Sequence, residues 1–428
     1  MKIFDIMAER SITLLTILPG YGVLEEAKWI TQKMREMGHE KVVLICYPDI
    51  KLKACIAIHD RTLGKHAIGG WRILPYESEE ELISDALRLS QAMSFKASLA
   101  GLCRGGGKCT VWGDPMKGEK TVELMMKLAE AINILNGEYV TAEDMNVSAR
   151  DILLMRTKTR FAVGLPSTFS DPETPAYKGS GDPSPVTALG IVHGMEAALD
   201  FLSGEVLRHK TVALQGVGHV GMPLAEYLYN KEVNVIACDT NPQRVSEFHR
   251  RFHQSSAPDW REYFKVVSAE DIYDQECDIF APCTVGGVLN EKTIPRLKCK
   301  IVAGSANNVL CCDDCGKILF DRGILLAPDF VINAAGLINV DDELNHKGYN
   351  TMRVQDNIAR IIPQNLKKIF FISRELKKPA NEVAYALARA RIRSKKHDQQ
   401  LLKKELRIRG KTLSSLLDKA EEELGSSL

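Results

Sequence analysis

The chain carries almost no net charge, because 56 Lys and Arg face 55 Asp and Glu across 428 residues, a formal balance of +1. Without an excess of positive potential it has no general means of holding nucleic acid or an anionic membrane surface, and small-molecule partners are expected instead. A disulfide framework is also lacking. Eleven cysteines make an odd, irregularly spaced set, which fits a reducing cytoplasm. No long hydrophobic run opens the chain. The stretch Ser11 to Leu18 is short, is stopped by Pro19 and follows Asp5 and Glu9, so it reads as neither a signal peptide nor a membrane span. Internal repeats and low-complexity tracts are missing too. What remains is of globular composition, 45% hydrophobic and 26% charged, and is too long for one ordinary core, so two domains are expected.

The first forty or so residues hold the turn signal Pro19 to Gly22 and an amphipathic helical pattern through Met37 that Gly38 can stop. Short β-branched strands follow at Val42 to Ile45, Ala54 to Ile58 and Thr110 to Trp112. They surround one strong helix, opened by Ser78 with Glu81 as a capping box and carrying the stripe Leu82, Ala86, Leu89 and Met93. The next position on that stripe is Lys96. A lysine there must desolvate its ammonium unless it snorkels or meets an anion. Residues 165–185, rich in Pro, Gly and Ser, read as a connection or long loop. Beyond them lie short apolar runs at Val212 to Gln215, Val233 to Cys238, Cys277 to Ala281, Lys300 to Ala303 and Ile324 to Ala327. These predict a doubly wound parallel sheet, buried on both faces. Helical periodicity returns over 350–392, and a charged tail from Ser394 holds a possible amphipathic helix, Leu401 to Leu424.

The strongest local signal is Gly216-Val217-Gly218-His219-Val220-Gly221, between a strand and a helical stretch. Gly216 permits the tight turn, Gly218 lets backbone approach a pyrophosphate, and Gly221 lets helix pack on strand. Asp239 ends the next strand, where a carboxylate accepts both ribose hydroxyls of NAD and repels a 2′-phosphate. NAD is therefore the expected cofactor, although Arg244 lies close enough in sequence to assist a phosphate. Gly105-Gly106-Gly107-Lys108 reads as a glycine-rich loop that brings a lysine close to a ligand. It is not a Walker loop, because Leu102 and Cys109 stand where that pattern needs glycine and a hydroxyl and a strand follows. Tyr139 to Asp144 is a strand running into a polar turn. Either carboxylate of that turn also suits a helix start. Cys311, Cys312 and Cys315 suggest zinc, but no partner Cys or His pair stands at zinc-finger spacing, so no metal is assigned.

Taken in order, Lys96 in MSFKASLAGL, Lys108 in RGGGK, Asp144 in TAEDM, GDPSPVTA, GVGHVG, AGSANN and APDFVINAAGLINV resemble the amino-acid dehydrogenases acting on glutamate, leucine, phenylalanine and valine. The wording is most similar to leucine dehydrogenase, and the resemblance runs from about residue 38 to 392. It implies an α/β enzyme with an N-terminal α/β catalytic domain over 1–183, a Rossmann-type NAD domain over 184–350, C-terminal helices over 351–392 returning to the first domain, and an extension over 393–428. It also implies reversible NAD-dependent oxidative deamination of an amino acid to its 2-oxo acid and ammonia, by a homo-oligomer. Lys96 resembles the lysine that binds the substrate α-carboxylate, Lys108 the catalytic lysine, and Asp144 the carboxylate exchanging protons with the substrate nitrogen. Thr187 resembles a threonine near the nicotinamide, and Asn307 and Asn333 fall where the family binds cofactor and substrate.

Glutamate enzymes carry a lysine immediately before the pair matching Gly69-Gly70; here Ile68 stands there. Leu337 and Val340 match the apolar wall of the branched-chain enzymes. A leucine-like substrate is expected, with an aromatic one or a catalytically silent NAD-binding regulator as alternatives. Trp71, where the family usually has a small residue, either narrows the pocket or packs beneath it.

Overall fold

In the computed structural model, residues 2–20, 24–171, 177–253, 264–312, 314–345 and 348–394 are described. The possible helix at 401–424 lies outside them, as do parts of the 19–22 turn and the 165–180 loop. The chain divides into two compact units. One holds 1–182 and 340–351, with the last turn of helix Ala380–Ser394 from Arg391; the other holds 183–339 and 352–390.

The first unit is built on a mixed six-stranded sheet. Its strands are β1 (Leu14–Ile17), β2 (Lys41–Tyr47), β3 (Leu52–Asp60), β4 (Ala67–Leu74), β5 (Gly105–Trp112) and β6 (Tyr139–Ala142), in spatial order β1-β2-β3-β5-β4-β6. The β1, β2, β3 and β5 pairings are antiparallel, whereas β4 runs parallel to both β5 and β6. The apolar stretch near the start is thus an edge strand, and Gly38 ends helix Lys28–Met37 with φ +82°, as its sequence predicts. Because strand side chains alternate in direction, the sheet buries two separate cores. One face packs Val43, Ile56, Trp71, Cys109 and Val111 against helix Val122–Ile134. The other packs Val42, Leu44, Cys55 and Ala57 against helix Glu79–Leu99.

Two local expectations change. Glu81 takes the backbone N–H of Glu77 rather than that of Ser78, although Ser78 does cap the helix through the N–H of Glu81. The glycines before Lys108 lie within β5 and form no loop. An added Cβ at Gly106 would come 2.1 Å from the Ser94 nitrogen and 2.3 Å from the Ser90 carbonyl oxygen, and at Gly107 2.6 Å from the Tyr139 ring. Their smallness lets helix and neighbouring strand press onto β5.

The second unit holds β7 (Thr211–Gln215), β8 (Asn234–Cys238), β9 (Phe264–Val266), β10 (Ile279–Pro282), β11 (Ile301–Val302) and β12 (Leu325–Leu326). All pair in parallel, in the order β12-β11-β10-β7-β8-β9. Counted from β7, that is the 3-2-1-4-5-6 order of a doubly wound dinucleotide sheet. Helix Thr351–Leu376 belongs mainly to this unit, not to the first as the family resemblance implies. Ile362 and Leu366 press on Gly190 and Gly194 of helix Ser184–Ser203, whose missing side chains make the close crossing possible. Helix Ser184–Ser203 is long and apolar enough to cross a membrane by composition alone; here it is a packed helix of the second unit.

Gly106→Ala should lower unfolding stability by about 1–3 kcal/mol, because two backbone atoms of the neighbouring helix cannot retreat independently. Chemical denaturation of the full chain checks this, and an unchanged midpoint would show that the helix yields.

Candidate active site

On β5, Lys108 shares a face with Gly106 and Thr110, and the register sets Ile68, Gly70 and Arg72 of β4 on that same face. Gly70 is essential to what happens above it. An added Cβ would stand 2.2 Å from the Glu143 carbonyl oxygen and 2.8 Å from the Asp144 Cβ, so only glycine lets the turn after β6 fold over β4. That turn delivers Asp144 to Lys108, with Nζ 2.7 Å from Oδ2. Arg72 reaches the same oxygen through Nε at 2.5 Å and turns Nη1 to Asp85 at 3.3 Å. Asp85 also accepts from the Tyr76 hydroxyl at 2.9 Å. With Arg88, which donates to Asp85 at 2.7 Å, three cations and two carboxylates thus form one connected group. Sequence reading found Lys108 and Asp144 but not Arg72, Asp85 or Tyr76; the alternation of β4 was the available signal, masked by its two glycines.

Burial pushes the Lys108 ammonium below its ordinary range, and Arg72 adds to this while Asp144 opposes it. Burial alone would raise Asp144, yet Lys108 and Arg72 together hold it down at about 2. The two directions agree physically. Solvation loss decides the lysine, 5% exposed, and two close cations decide the carboxylate, whose side chain is 23% exposed. Beside it, burial first and then nearby Asp182 raise Glu143 to about 7.

Lys96 lies half-buried in the last turn of helix Glu79–Leu99, on the helix that covers the Lys108 face. Ile68 is buried on the same strand face. Gly69 meets the Gly107 carbonyl so closely that an added Cβ would lie 1.8 Å from it. Trp71 points to the opposite face and is wholly buried, which settles its alternative readings in favour of packing beneath the sheet. Leu337 and Val340 are both buried in helix Ala335–Asp342, but they fall in different units. Sequence reading gave no role to Glu343, which is fully buried and accepts the backbone N–H groups of Gly164, Leu165 and Ser180 at 3.0, 3.1 and 2.6 Å. It ties the 340–351 segment to the loop after β6.

The second unit gathers the other candidates. Gly216 has φ +97°, and an added Cβ at Gly221 would lie 2.0 Å from the Gly216 carbonyl oxygen, as the tight turn and close helix packing require. At Gly218 an added Cβ would approach only Arg244, at 3.3 Å, leaving the backbone open. Asp239 accepts the Val217 N–H at 2.9 Å, which fixes the acid against the turn, and Arg244 stands 3.8 Å from it. Asn333 donates to the Asn307 side chain at 3.0 Å and to the Ser305 carbonyl at 3.1 Å. The Thr187 hydroxyl donates to Pro183 at 2.8 Å, and an added Cβ at Gly336 would lie 2.7 Å from that hydroxyl. The glycine cradle and the acid fixed against it fit a dinucleotide.

Such a sheet and turn define a protein of the dinucleotide-binding class, in a chain that also buries a lysine against a carboxylate. The Glutamate/Leucine/Phenylalanine/Valine dehydrogenase family matches residues 179–400, and the Glu/Leu/Phe/Val dehydrogenase dimerisation domain matches 40–161. The chain belongs to this family of amino-acid dehydrogenases. It is 42% identical over 360 residues to the leucine dehydrogenase of Thermoactinomyces intermedius, covering 84% of this chain and 92% of that one. Identity to the phenylalanine dehydrogenase of Caldalkalibacillus thermarum is 41% over 333 residues, or 78% and 85% of the two chains. The crystal structure of L-tryptophan dehydrogenase from Nostoc punctiforme superposes with a TM-score of 0.70 at 35% identity, covering 86% of this chain and all of that one.

Arg72→Gln tests the charge network. Losing the guanidinium should move the Asp144 carboxyl upward from about 2 and should also move the Lys108 ammonium upward, since Arg72 lowers both. Asp144 stabilises the fold above its unfolded pKa, and that contribution fades as pH falls toward about 2, so the variant should lose acid-side stability at higher pH than wild type. Carboxyl-carbon NMR and acid unfolding measure the two effects, and an unmoved Asp144 titration would show that Lys108 alone sets it. Trp71→Thr should cost about 3–5 kcal/mol of stability, as for large core truncations, without improving kcat/KM for larger substrates.

Proposed function

We propose that the protein catalyses reversible NAD-dependent oxidative deamination of a small apolar L-amino acid, of the leucine, valine or isoleucine kind, to the 2-oxo acid and ammonia. It does so as a cytoplasmic homo-oligomer. The observation that carries the side-chain assignment is Ile68, an apolar residue buried on the Lys108 face. A buried γ-carboxylate there would lose several kcal/mol to desolvation. Leu337 and Val340 extend the apolar set.

Lys96 binds the α-carboxylate, and Asp144 exchanges protons with the substrate nitrogen. When bound, the nicotinamide accepts the hydride that leaves Cα. Lys108, its ammonium weakened by burial, acts in neutral form to take a proton from the water that adds to the imine carbon. The glycine turn, Asp239, Thr187, Asn307 and Asn333 hold the cofactor. Asp239, fixed against the glycine turn, favours NAD because a carboxylate there repels a 2′-phosphate, although Arg244 neutralises part of that charge. An aromatic substrate is the second reading, favoured by the phenylalanine and tryptophan enzymes among the relatives.

NADH formation across a panel of amino acids tests the assignment. Leucine should exceed glutamate in kcat/KM by roughly 100-fold or more; equal values would overturn the apolar reading, and a lead for phenylalanine or tryptophan would favour the second. Lys108→Ala and Asp144→Asn should each lower kcat by at least about 100-fold while NAD binding stays nearly intact. Near-normal turnover in either would remove that residue from the chemistry. Asp239→Ser should narrow or reverse the preference for NAD over NADP, and equal use of both by the wild type would show that the acid does not discriminate.

A further inference from the structure

We propose that Cys311, Cys312 and Cys315 form a binding site for one thiophilic divalent metal ion of the zinc class, held by three thiolates with its fourth position open to water. The amino-acid dehydrogenase reaction makes no use of these residues. Their sulfurs nevertheless converge, with Sγ separations of 3.7 Å for Cys311–Cys312 and 3.4 Å for both Cys311–Cys315 and Cys312–Cys315. Three sulfurs bound tetrahedrally to one zinc, each at ~2.3 Å, sit ~3.8 Å apart, so the cluster needs to open by only a few tenths of an ångström. Spacing in sequence argued against zinc because it looked for four ligands from the chain. A site with three protein ligands and one solvent ligand is a different class, and it asks for no distant Cys or His pair.

The site is anchored. Cys315 lies in the first turn of helix Asp314–Asp321 and is buried in the same apolar cluster as Leu289 and Leu319, so one ligand is rooted in the core. The Cys311 N–H donates to the Leu289 carbonyl at 3.0 Å and the Cys315 N–H to the Cys312 carbonyl at 3.2 Å, which curls the segment so that all three sulfurs face one point. Cys311 and Cys312 are exposed, giving an ion a path from solvent. Among the described residues this is the group of metal-ligating side chains whose donor atoms lie within 4.8 Å of one another. Binding exchanges three S–H bonds for three metal–sulfur bonds and releases three protons to water, without oxidation or reduction, so affinity rises with pH.

The test is a titration of the reduced, metal-free full chain with Cd²⁺ under anaerobic conditions, followed by the ultraviolet sulfur-to-cadmium charge-transfer band. One equivalent should bind with the band intensity of three thiolates and release protons, and Cd²⁺ should displace Zn²⁺ from a chain loaded with zinc beforehand. Cys311→Ser and Cys312→Ser, at exposed positions that should leave the fold intact, should each weaken binding by roughly 100-fold, about what one of a few thiolate ligands supplies. Cys103→Ser, at another exposed thiol, should change nothing. Absence of the band in a chain whose three thiols remain reactive would overturn the proposal. So would a band that persists in the Cys311→Ser, Cys312→Ser double variant.

Discussion

The first unit is organised around the problem of keeping a lysine inside a β-sheet. Unpaired, the buried Lys108 ammonium would cost far more than any single packing contact returns, so a carboxylate has to reach it. Asp144 can do so only because the chain at Gly70 has no side chain, and it stays ionised because Arg72 stands on its other side. Asp85 and Tyr76 in turn hold Arg72 and its carboxylate partner. The succession of glycines in β4 and β5 therefore belongs to the electrostatics as much as to the packing. Gly106 brings the covering helix down over the lysine, and Gly107 admits the Tyr139 ring on the opposite face.

In the second unit the physics is of another kind, and far more of it was written in the sequence. A parallel sheet buried on both faces must read as short apolar runs, and five of its six strands were visible that way; β9, three residues long, left too little pattern to find. The turn at Gly216 to Gly221 and the acid at Asp239 lie in one βαβ stretch, so local spacing was enough to join them. Lys108, Arg72 and Asp144 come from three strands or their ends, and their meeting depends on strand order β5-β4-β6, which no local pattern encodes. Resemblance to a family supplied Lys108 and Asp144. Nothing supplied Arg72, because the two glycines of β4 hide the period-two alternation that marks a strand.

The glycine run before Lys108 shows how the same residues can be read in two ways. Freedom of backbone suggested a ligand-embracing loop, whereas the structure uses it for close approach within a sheet. Helix Thr351–Leu376 carries a related lesson. Its periodicity announced a helix and the family resemblance assigned it to the first domain, but the small residues Gly190 and Gly194 on the receiving helix seat it in the second unit.

The charge count of the network bears on how the proposed chemistry begins. With Lys108 protonated, three cations (Lys108, Arg72 and Arg88) face the carboxylates of Asp85 and Asp144; with Lys108 neutral, two cations face two anions. Burial favours the second state and the neighbouring carboxylate the first. In the proposed reaction, an α-ammonium group arriving beside Asp144 would, by repulsion, further disfavour a positive charge on Lys108. Substrate binding and deprotonation of the lysine then reinforce one another: the charge that orients the amino acid also frees the base. Such coupling needs a carboxylate that remains ionised throughout, and an Asp144 held at about 2 by two cations meets that requirement even after one of them becomes neutral, since Arg72 stays in place.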